Sequence, residues 1–225
     1  MQYIAALDYK HLDNGVFLTS LARSLSQQQD QKSIHPIIVH TDSEYTERIM
    51  QTGVMRDEAI VRSVKDLNKR LVALFADQGV STIGINPYQR NFITLSEGEL
   101  QIDHSFLNSL PDRPVLLLSP LVQDLDNDEE VVIELPRLLE FLFEELSAEQ
   151  LFIFSKSDEA EVFTVDSDTE DLRWDTLDPN FREKQIPDDF GNLQLPVYLT
   201  SARDFNQLPS LKQSIFIDRP DKSEI

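Results

Sequence analysis

The sequence contains no cysteine among its 225 residues. This absence excludes disulfide bonds, thiolate nucleophiles and metal sites built on cysteine. The N-terminus lacks the charged-then-apolar pattern of a signal peptide, and the apolar runs are far shorter than the roughly 20 residues of a membrane span. We therefore expect a cytoplasmic protein without a membrane partner.

Basic residues are also scarce, since 20 Lys and Arg face 40 Asp and Glu and the formal net charge is -20. Such a charge opposes binding to a nucleic-acid backbone unless the basic residues cluster. The sequence has no basic run, and we expect no nucleic-acid partner.

Glycine is the third scarce residue, with only six in the chain and no two of them within four positions of each other. Loops that wrap around nucleotide phosphates place glycines two to five residues apart, because the backbone must approach the phosphate closely. Neither the P-loop nor the dinucleotide fingerprint occurs in the sequence.

Short branched apolar runs alternate with segments of helical period, a pattern typical of a mainly parallel sheet covered on both faces. The pattern predicts a three-layer α/β/α sandwich with a mainly parallel open sheet, formed by a single domain over residues 1–225. The predicted strands cover residues 3–7, 36–40, 80–85, 114–119, 151–155, 197–200 and 214–217.

Three amphipathic helices are predicted at residues 16–29, 58–78 and 135–147, the last of them well buried. Gly79 is placed to end the second helix in a left-handed cap. The motif "FITLSEGELQI" predicts a hairpin around Glu97 and Gly98, and "EVFTV" predicts a further strand pairing. Residues 166–192 are acidic and aperiodic, and they predict a long loop or flap.

Three motifs in this order carry a family resemblance. The run from Thr52 to Ile93, "TGVMRDEAIVRSVKDLNKRLVALFADQGVSTIGINPYQRNFI", is followed by "PVLLLSPLV" and "LSAEQLFIFS". Together they resemble the amino acid kinase family, and within it acetylglutamate kinase most closely. The resemblance implies an α/β/α sandwich, phosphoryl transfer from ATP to a carboxylate, and a homodimer formed through the long helix. It covers residues 1–155, the acceptor-side half, whereas residues 156–225 form a shortened and divergent nucleotide-side half.

The resemblance places Arg56 where the family grips the acceptor's carboxylate, and it makes Asn68, next to Lys69, a second substrate-binding candidate. The alternative interpretation of Arg56 is an ordinary surface arginine. The alternative interpretation of Asn68 and Lys69 is that they form part of the exposed face of the helix, and the sequence alone favours this.

The phosphate-binding positions depart from the family pattern. Leu7 and Asp8 stand where the family has glycines, and His40 is followed by Thr41 and Asp42 instead of further glycines. At other positions of the family pattern this sequence has Pro136, Ser155 and Lys156. The family's later glycine pair has only a weak match, in "DDFGNLQ". Because phosphoryl transfer depends on positioning and on offsetting charge, these departures predict a site with little or no kinase activity.

The first hypothesis is therefore a pseudokinase-like, non-catalytic binding or scaffold protein without a cofactor. A second hypothesis is an active divergent kinase that uses ATP and Mg and takes its phosphate contacts from Lys10, Lys156 and Arg173. A third is a sensor that binds an anionic, amino-acid-like small molecule at Arg56 without chemistry.

No metal site is expected. Asp124, Asp126 and Asp128 alternate like the start of a calcium loop, but Glu129 and Leu135 stand where an EF-hand requires glycine and glutamate. The three acids are more simply the solvated tip of a hairpin.

Overall fold

The computed structural model describes residues 1–29, 34–111, 113–156 and 172–219. Its strands are β1 (Gln2–Leu7), β2 (His35–His40), β3 (Thr82–Ile85), β4 (Ile93–Ser96), β5 (Glu99–Ile102), β6 (Val115–Leu118), β7 (Leu121–Asp124), β8 (Glu129–Val132), β9 (Gln150–Phe154), β10 (Leu172–Arg173), β11 (Val197–Thr200) and β12 (Ile215–Asp218). Its helices are α1 (Gly15–Gln29), α2 (Tyr45–Met50), α3 (Arg56–Asp77), α4 (His104–Ser109), α5 (Leu135–Glu145), α6 (Pro179–Gln185) and α7 (Ala202–Phe205).

Eight strands form the main sheet in the order β10-β12-β11-β9-β1-β2-β6-β3. All of the pairings are parallel except that of β11 with β12. The predicted α/β/α sandwich with a mainly parallel sheet is thus confirmed, and all seven predicted strands lie in this sheet.

A second sheet of four strands, in the order β5-β4-β7-β8, was not predicted as a unit. It contains the predicted hairpin at Glu97 and Gly98, which both adopt positive φ angles of 50° and 81°. The acidic segment at residues 125–128 joins β7 to β8, as the sequence predicted.

Alternate side chains of each central strand enter two separate cores. In β1, Ile4 and Ala6 face the core that contains α5, whereas Tyr3, Ala5 and Leu7 face the core that contains α1, α3 and α7. Since successive side chains of a strand point to opposite faces, helices on both sides are required to cover a run this apolar.

The three predicted helices form with nearly the predicted bounds. At the end of α3, Gly79 has a φ of 80°, and the N–H of Val80 donates to the carbonyl of Phe75 at 2.9 Å, which confirms the predicted cap. α5 is less buried than predicted, because Phe141 and Phe143 remain partly exposed while its four leucines pack in the core.

The prediction of a long loop or flap at residues 166–192 is wrong for the described part, residues 172–192, because regular elements form there. This part contains β10, α6 and two 3-10 turns, Trp174–Thr176 and Asp188–Phe190. Asp178 caps α6 by accepting from the N–H groups of Asn180 and Phe181. The strand predicted at "EVFTV" lies outside the described residues. Within them, no helix combines the length and apolar character needed to cross a membrane.

Gly84 allows α3 to lie unusually close to β3. A Cβ at this position would come within 2.4 Å of Asn68 Oδ1 and 2.7 Å of Val72 Cγ2. We expect Gly84→Ala to lower the free energy of unfolding by about 2 kcal/mol, because helix and strand must separate. Gly15→Ala is the control, since nothing lies within 4 Å of its added Cβ. Urea unfolding of both variants measures the difference, and equal stability would refute the close approach.

Candidate functional site

Polar residues follow the carboxyl ends of the parallel strands, the edge where open α/β sheets bind ligands. Because Leu118 pairs with both Val39 and Ile85, the next residues of these strands, Ser119, His40 and Asn86, lie side by side. Asp8 and Thr41 extend this edge beyond the paired residues Leu7 and His40.

At the tip of β1, the carboxylate of Asp8 binds the chain's own amides. Its Oδ1 accepts from the N–H groups of Lys10 at 2.8 Å and His11 at 3.1 Å, and its Oδ2 lies 2.5 Å from His11 Nδ1. The other ring nitrogen of His11 lies 3.1 Å from the carbonyl of Ser155. Asp8 and His11 are both buried, so this contact joins the tips of β1 and β9.

A second carboxylate, that of Asp189, accepts a hydrogen bond from the neighbouring amide, that of Tyr9. The N–H of Tyr9 donates to Oδ2 of Asp189 at 3.1 Å, from a residue 180 positions further along the chain. Burial raises the pKa of Asp189, the Tyr9 hydrogen bond opposes this, and the nearby carboxylates of Asp8 and Asp42 raise it further. Three successive amides, of residues 9–11, are therefore held by carboxylates of this chain.

The segment that carries Asp189 is fastened over the tip of β9. The N–H of Lys156 donates to the carbonyl of Gln185 at 2.9 Å, and its Nζ binds the carbonyl of Glu183 and the carboxylate of Asp188. Ser155 Oγ donates to Gln185 Oε1 at 2.5 Å. Residues 183–189 thus cover the ends of β1 and β9.

At the tip of β2, His40 is fully buried, and its two ring nitrogens form the hydrogen bonds of a neutral imidazole. Its Nδ1 donates to the carbonyl of Thr41 at 2.7 Å, and its Nε2 accepts from Asn68 Nδ2 at 3.2 Å. Asn68 also reaches the carbonyl of Leu117 at 3.3 Å. Burial lowers the pKa of His40 to about 4, against the opposing effect of the Thr41 carbonyl.

Asp42 lies half-buried beside this histidine, and its carboxylate accepts from the hydroxyls of Thr41 and Thr46, both at 3.3 Å. Burial raises its pKa, while the two hydroxyls and the charge of Arg56 lower it. Arg56 itself is 64% exposed and reaches Glu47 at 3.9 Å.

Two buried polar atoms at this edge, Asn86 Oδ1 and Ser119 Oγ, find no hydrogen-bond partner within the described part of the chain, and neither does Ser63 Oγ on α3. Ser119 is fully buried, and Ser63 lies on the core face of α3. Because an unpaired buried polar atom costs about 1–3 kcal/mol, such atoms indicate contact with water or with a bound molecule.

The positions predicted from the resemblance separate into two groups. Leu7, Asp8, His40, Thr41 and Asp42 do lie together at the strand ends, as the register requires. The two substrate-binding candidates do not share one environment, because Arg56 is exposed whereas Asn68 is only 3% exposed. The interpretation of Asn68 as part of an exposed helix face is therefore wrong.

Sequence reasoning missed two members of this site, His11 and Asp189. Asp189 lies in the segment interpreted as loop, and no local pattern connects it to Tyr9. A signal for Asn68 was present, because it falls on the same stripe of α3 as the buried residues Val64, Leu67 and Leu71.

Of the three cations predicted to supply the missing phosphate contacts, one is engaged in an ion pair. Lys156 binds Asp188, and Lys10 lies near enough to lower the pKa of that carboxyl. Arg173 is exposed on β10, at the far edge of the sheet from β3. Across the described ranges, no group of three or more His, Asp or Glu side chains is arranged to hold a metal ion.

Comparisons with known proteins show the fold. No protein-family model matches the sequence, and no curated protein matches it. An isopentenyl phosphate kinase structure matches with a TM-score of 0.58 at 16% identity, covering 96% of this chain and all of that chain.

Two larger proteins contain a similar region. Aspartate kinase from Synechocystis matches with a TM-score of 0.64 at 11% identity, and the match covers 97% of this chain but 40% of that one. N-acetylglutamate synthase from Neisseria gonorrhoeae, complexed with coenzyme A and L-arginine, matches with a TM-score of 0.64 at 14% identity, covering 97% of this chain and 61% of that one. This chain has the amino acid kinase fold.

Proposed function

We propose that this chain is an acetylglutamate kinase-like protein whose ATP-phosphate site is degenerate, and that it acts as a non-catalytic binding or scaffold protein. The observation that carries the proposal is the occupation of the amides of Tyr9, Lys10 and His11 by the carboxylates of Asp189 and Asp8.

Backbone amides at a strand end are the groups that hold nucleotide phosphates in many folds. A triphosphate at the tip of β1 would have to displace two carboxylates and then lie beside them and Asp42. Like charges at such short range in a partly buried site repel strongly. The residues present at this tip therefore do not fit ATP.

The other half of the edge supports binding. The unpaired polar atoms of Asn86 and Ser119 follow the ends of β3 and β6, away from the closed tips of β1 and β9, and that of Ser63 is buried on α3. They favour a small polar ligand on the acceptor side. In the sensor form of this proposal, Arg56 holds an anionic, amino-acid-like molecule. A homodimer formed through α3 remains a prediction.

A phosphoryl-transfer assay tests the proposal. The purified chain is incubated with ATP, Mg and, in turn, glutamate, N-acetylglutamate, aspartate and isopentenyl phosphate. We expect no turnover above the uncatalysed rate, because the amides of residues 9–11 are already held by carboxylates and are not available to the transferred group. Turnover that disappears in Arg56→Ala would contradict the proposal and favour the divergent kinase.

Calorimetry without ATP tests the binding half. We expect saturable heat with an acidic amino acid or its N-acetyl derivative, weakened at least about 10-fold in Arg56→Ala, since a bidentate arginine-carboxylate contact is lost. Lys212→Ala removes an exposed cation elsewhere and should leave the titration unchanged. An unchanged affinity in Arg56→Ala would exclude the sensor form.

A further inference from the structure

A pocket of about 510 Å³, called the basic pocket below, lies between α2 and α3. It is separate from the strand-end site, the polar residues at the carboxyl ends of the parallel strands. Four cations and one acid, Asp66, line it. The residues on which the inference depends are Tyr45, Arg48, Arg62, Lys65 and Lys69. Its volume is that of a small-molecule site.

The segment that lines the pocket carries an excess of basic residues, unlike the rest of the chain. Residues 45–70 contain six Lys and Arg against four Asp and Glu, whereas the remaining sequence contains 14 against 36. The sequence shows no basic run, because the cations are spaced along two helices. The fold brings them onto one surface.

Helical spacing explains this convergence. Arg62, Lys65 and Lys69 are three and four residues apart on α3, so they project from one face. Tyr45 and Arg48 have the same spacing on α2, which packs against α3. The Arg70 guanidinium lies 5.5 Å from the centre of the Tyr45 ring, and this contact helps to fix the aromatic wall.

Internal carboxylates neutralise these cations only in part. Arg62 binds Glu58 at 2.5 Å, Lys65 binds Glu130, and Lys69 lies 3.9 Å from Asp66. Arg48 has no carboxylate within ion-pair distance among the residues that the structure describes. The pairs with Arg62 and Lys69 are largely exposed, so an incoming anion competes with weak contacts.

We propose that this pocket binds a small polyanion that carries at least two adjacent phosphate groups. Lysines supply point charges for phosphate, the fork of Arg48 supplies paired donors, and Tyr45 and Ile49 give an apolar wall for the rest of the ligand. This site shares no residue with the strand-end site, and it stands whether or not the proposed function is correct.

Isothermal titration with inorganic tripolyphosphate tests the site on the full chain. We expect saturable binding of one tripolyphosphate per chain, weakened at least about 10-fold in the double variant Arg48→Gln/Lys69→Gln. Both side chains are exposed, so the variant is expected to fold as the wild type does. The matched control is Lys184→Gln/Lys212→Gln, which removes the same charge from exposed positions outside the pocket.

Citrate, titrated in parallel, distinguishes phosphate recognition from general attraction of anions. Tighter binding of tripolyphosphate than of citrate, lost only in the pocket variant, supports the proposal. Equal weakening in both double variants, or no saturable heat up to about 10 mM tripolyphosphate, overturns it.

Discussion

Replacing Asp8 by alanine is expected to lower the free energy of unfolding by about 3 kcal/mol. Asp8 is 1% exposed and accepts from two amides and from the ring of His11. The truncation leaves two buried donors of His11 and the part-buried N–H of Lys10 without an acceptor, and it removes the link between the tips of β1 and β9. Urea unfolding at neutral pH measures the loss.

Two further variants show whether hydrogen bonding causes this effect. Asp8→Asn keeps one oxygen for the two amides, and His11 can accept at Nδ1 from the new side-chain amide while its Nε2–H donates to the carbonyl of Ser155, so the expected loss is only about 1 kcal/mol. Asp77→Ala is the control, because Asp77 is exposed at the end of α3, and its change should stay within about 0.5 kcal/mol. A loss in Asp8→Ala no larger than the control's would contradict this account of the β1 tip.

Stability is expected to fall by about 2 kcal/mol between about pH 7 and about pH 5 because of His40. Its pKa is lowered from 6.5 to about 4 in the folded chain, so the unfolded chain binds more protons in between. The contribution of His40 is therefore fully present above the unfolded pKa and is lost as the pH falls towards the folded one. Protonating Nε2 would also place an N–H against the amide of Asn68.

The variant His40→Gln isolates this effect, because glutamine can form both hydrogen bonds but does not titrate. Asp42 and Asp189 act in the opposite direction, since burial raises their pKa values above 3.8 and their contributions grow as the pH falls. They titrate in both proteins, so the wild-type slope minus the variant slope reports His40. Equal slopes in urea unfolding across this pH range would show that His40 does not titrate as expected.

The strands and long helices were predictable because their signals are local. β1, β2 and β6 are runs of apolar residues, and the stripe and terminal glycine of α3 mark its face and its end. Such patterns follow from the periods of strand and helix alone. The departures from the family's phosphate-binding positions were also visible as residue identities.

The closure of the β1 tip was not predictable, because it depends on contacts between distant segments. Asp189 meets Tyr9 across 180 positions, and the segment around it contains short turns whose polar groups are satisfied by β1 and β9. A segment whose sequence lacks a hydrophobic period is predicted to be a loop. The prediction is the same when tertiary hydrogen bonds give that segment an ordered structure. The basic pocket was not predicted from the sequence for a related reason, because its cations come together only when α2 packs on α3.

The most direct test of the central claim is a nuclear magnetic resonance titration of the ¹⁵N-labelled chain with ATP and Mg. The claim is that the amides of Tyr9, Lys10 and His11 are already held by Asp189 and Asp8 and are closed to phosphate. We predict that these three amide signals stay unchanged up to millimolar ATP, even if residues of the basic pocket respond. Saturable shifts of the same three signals at micromolar ATP would contradict the claim.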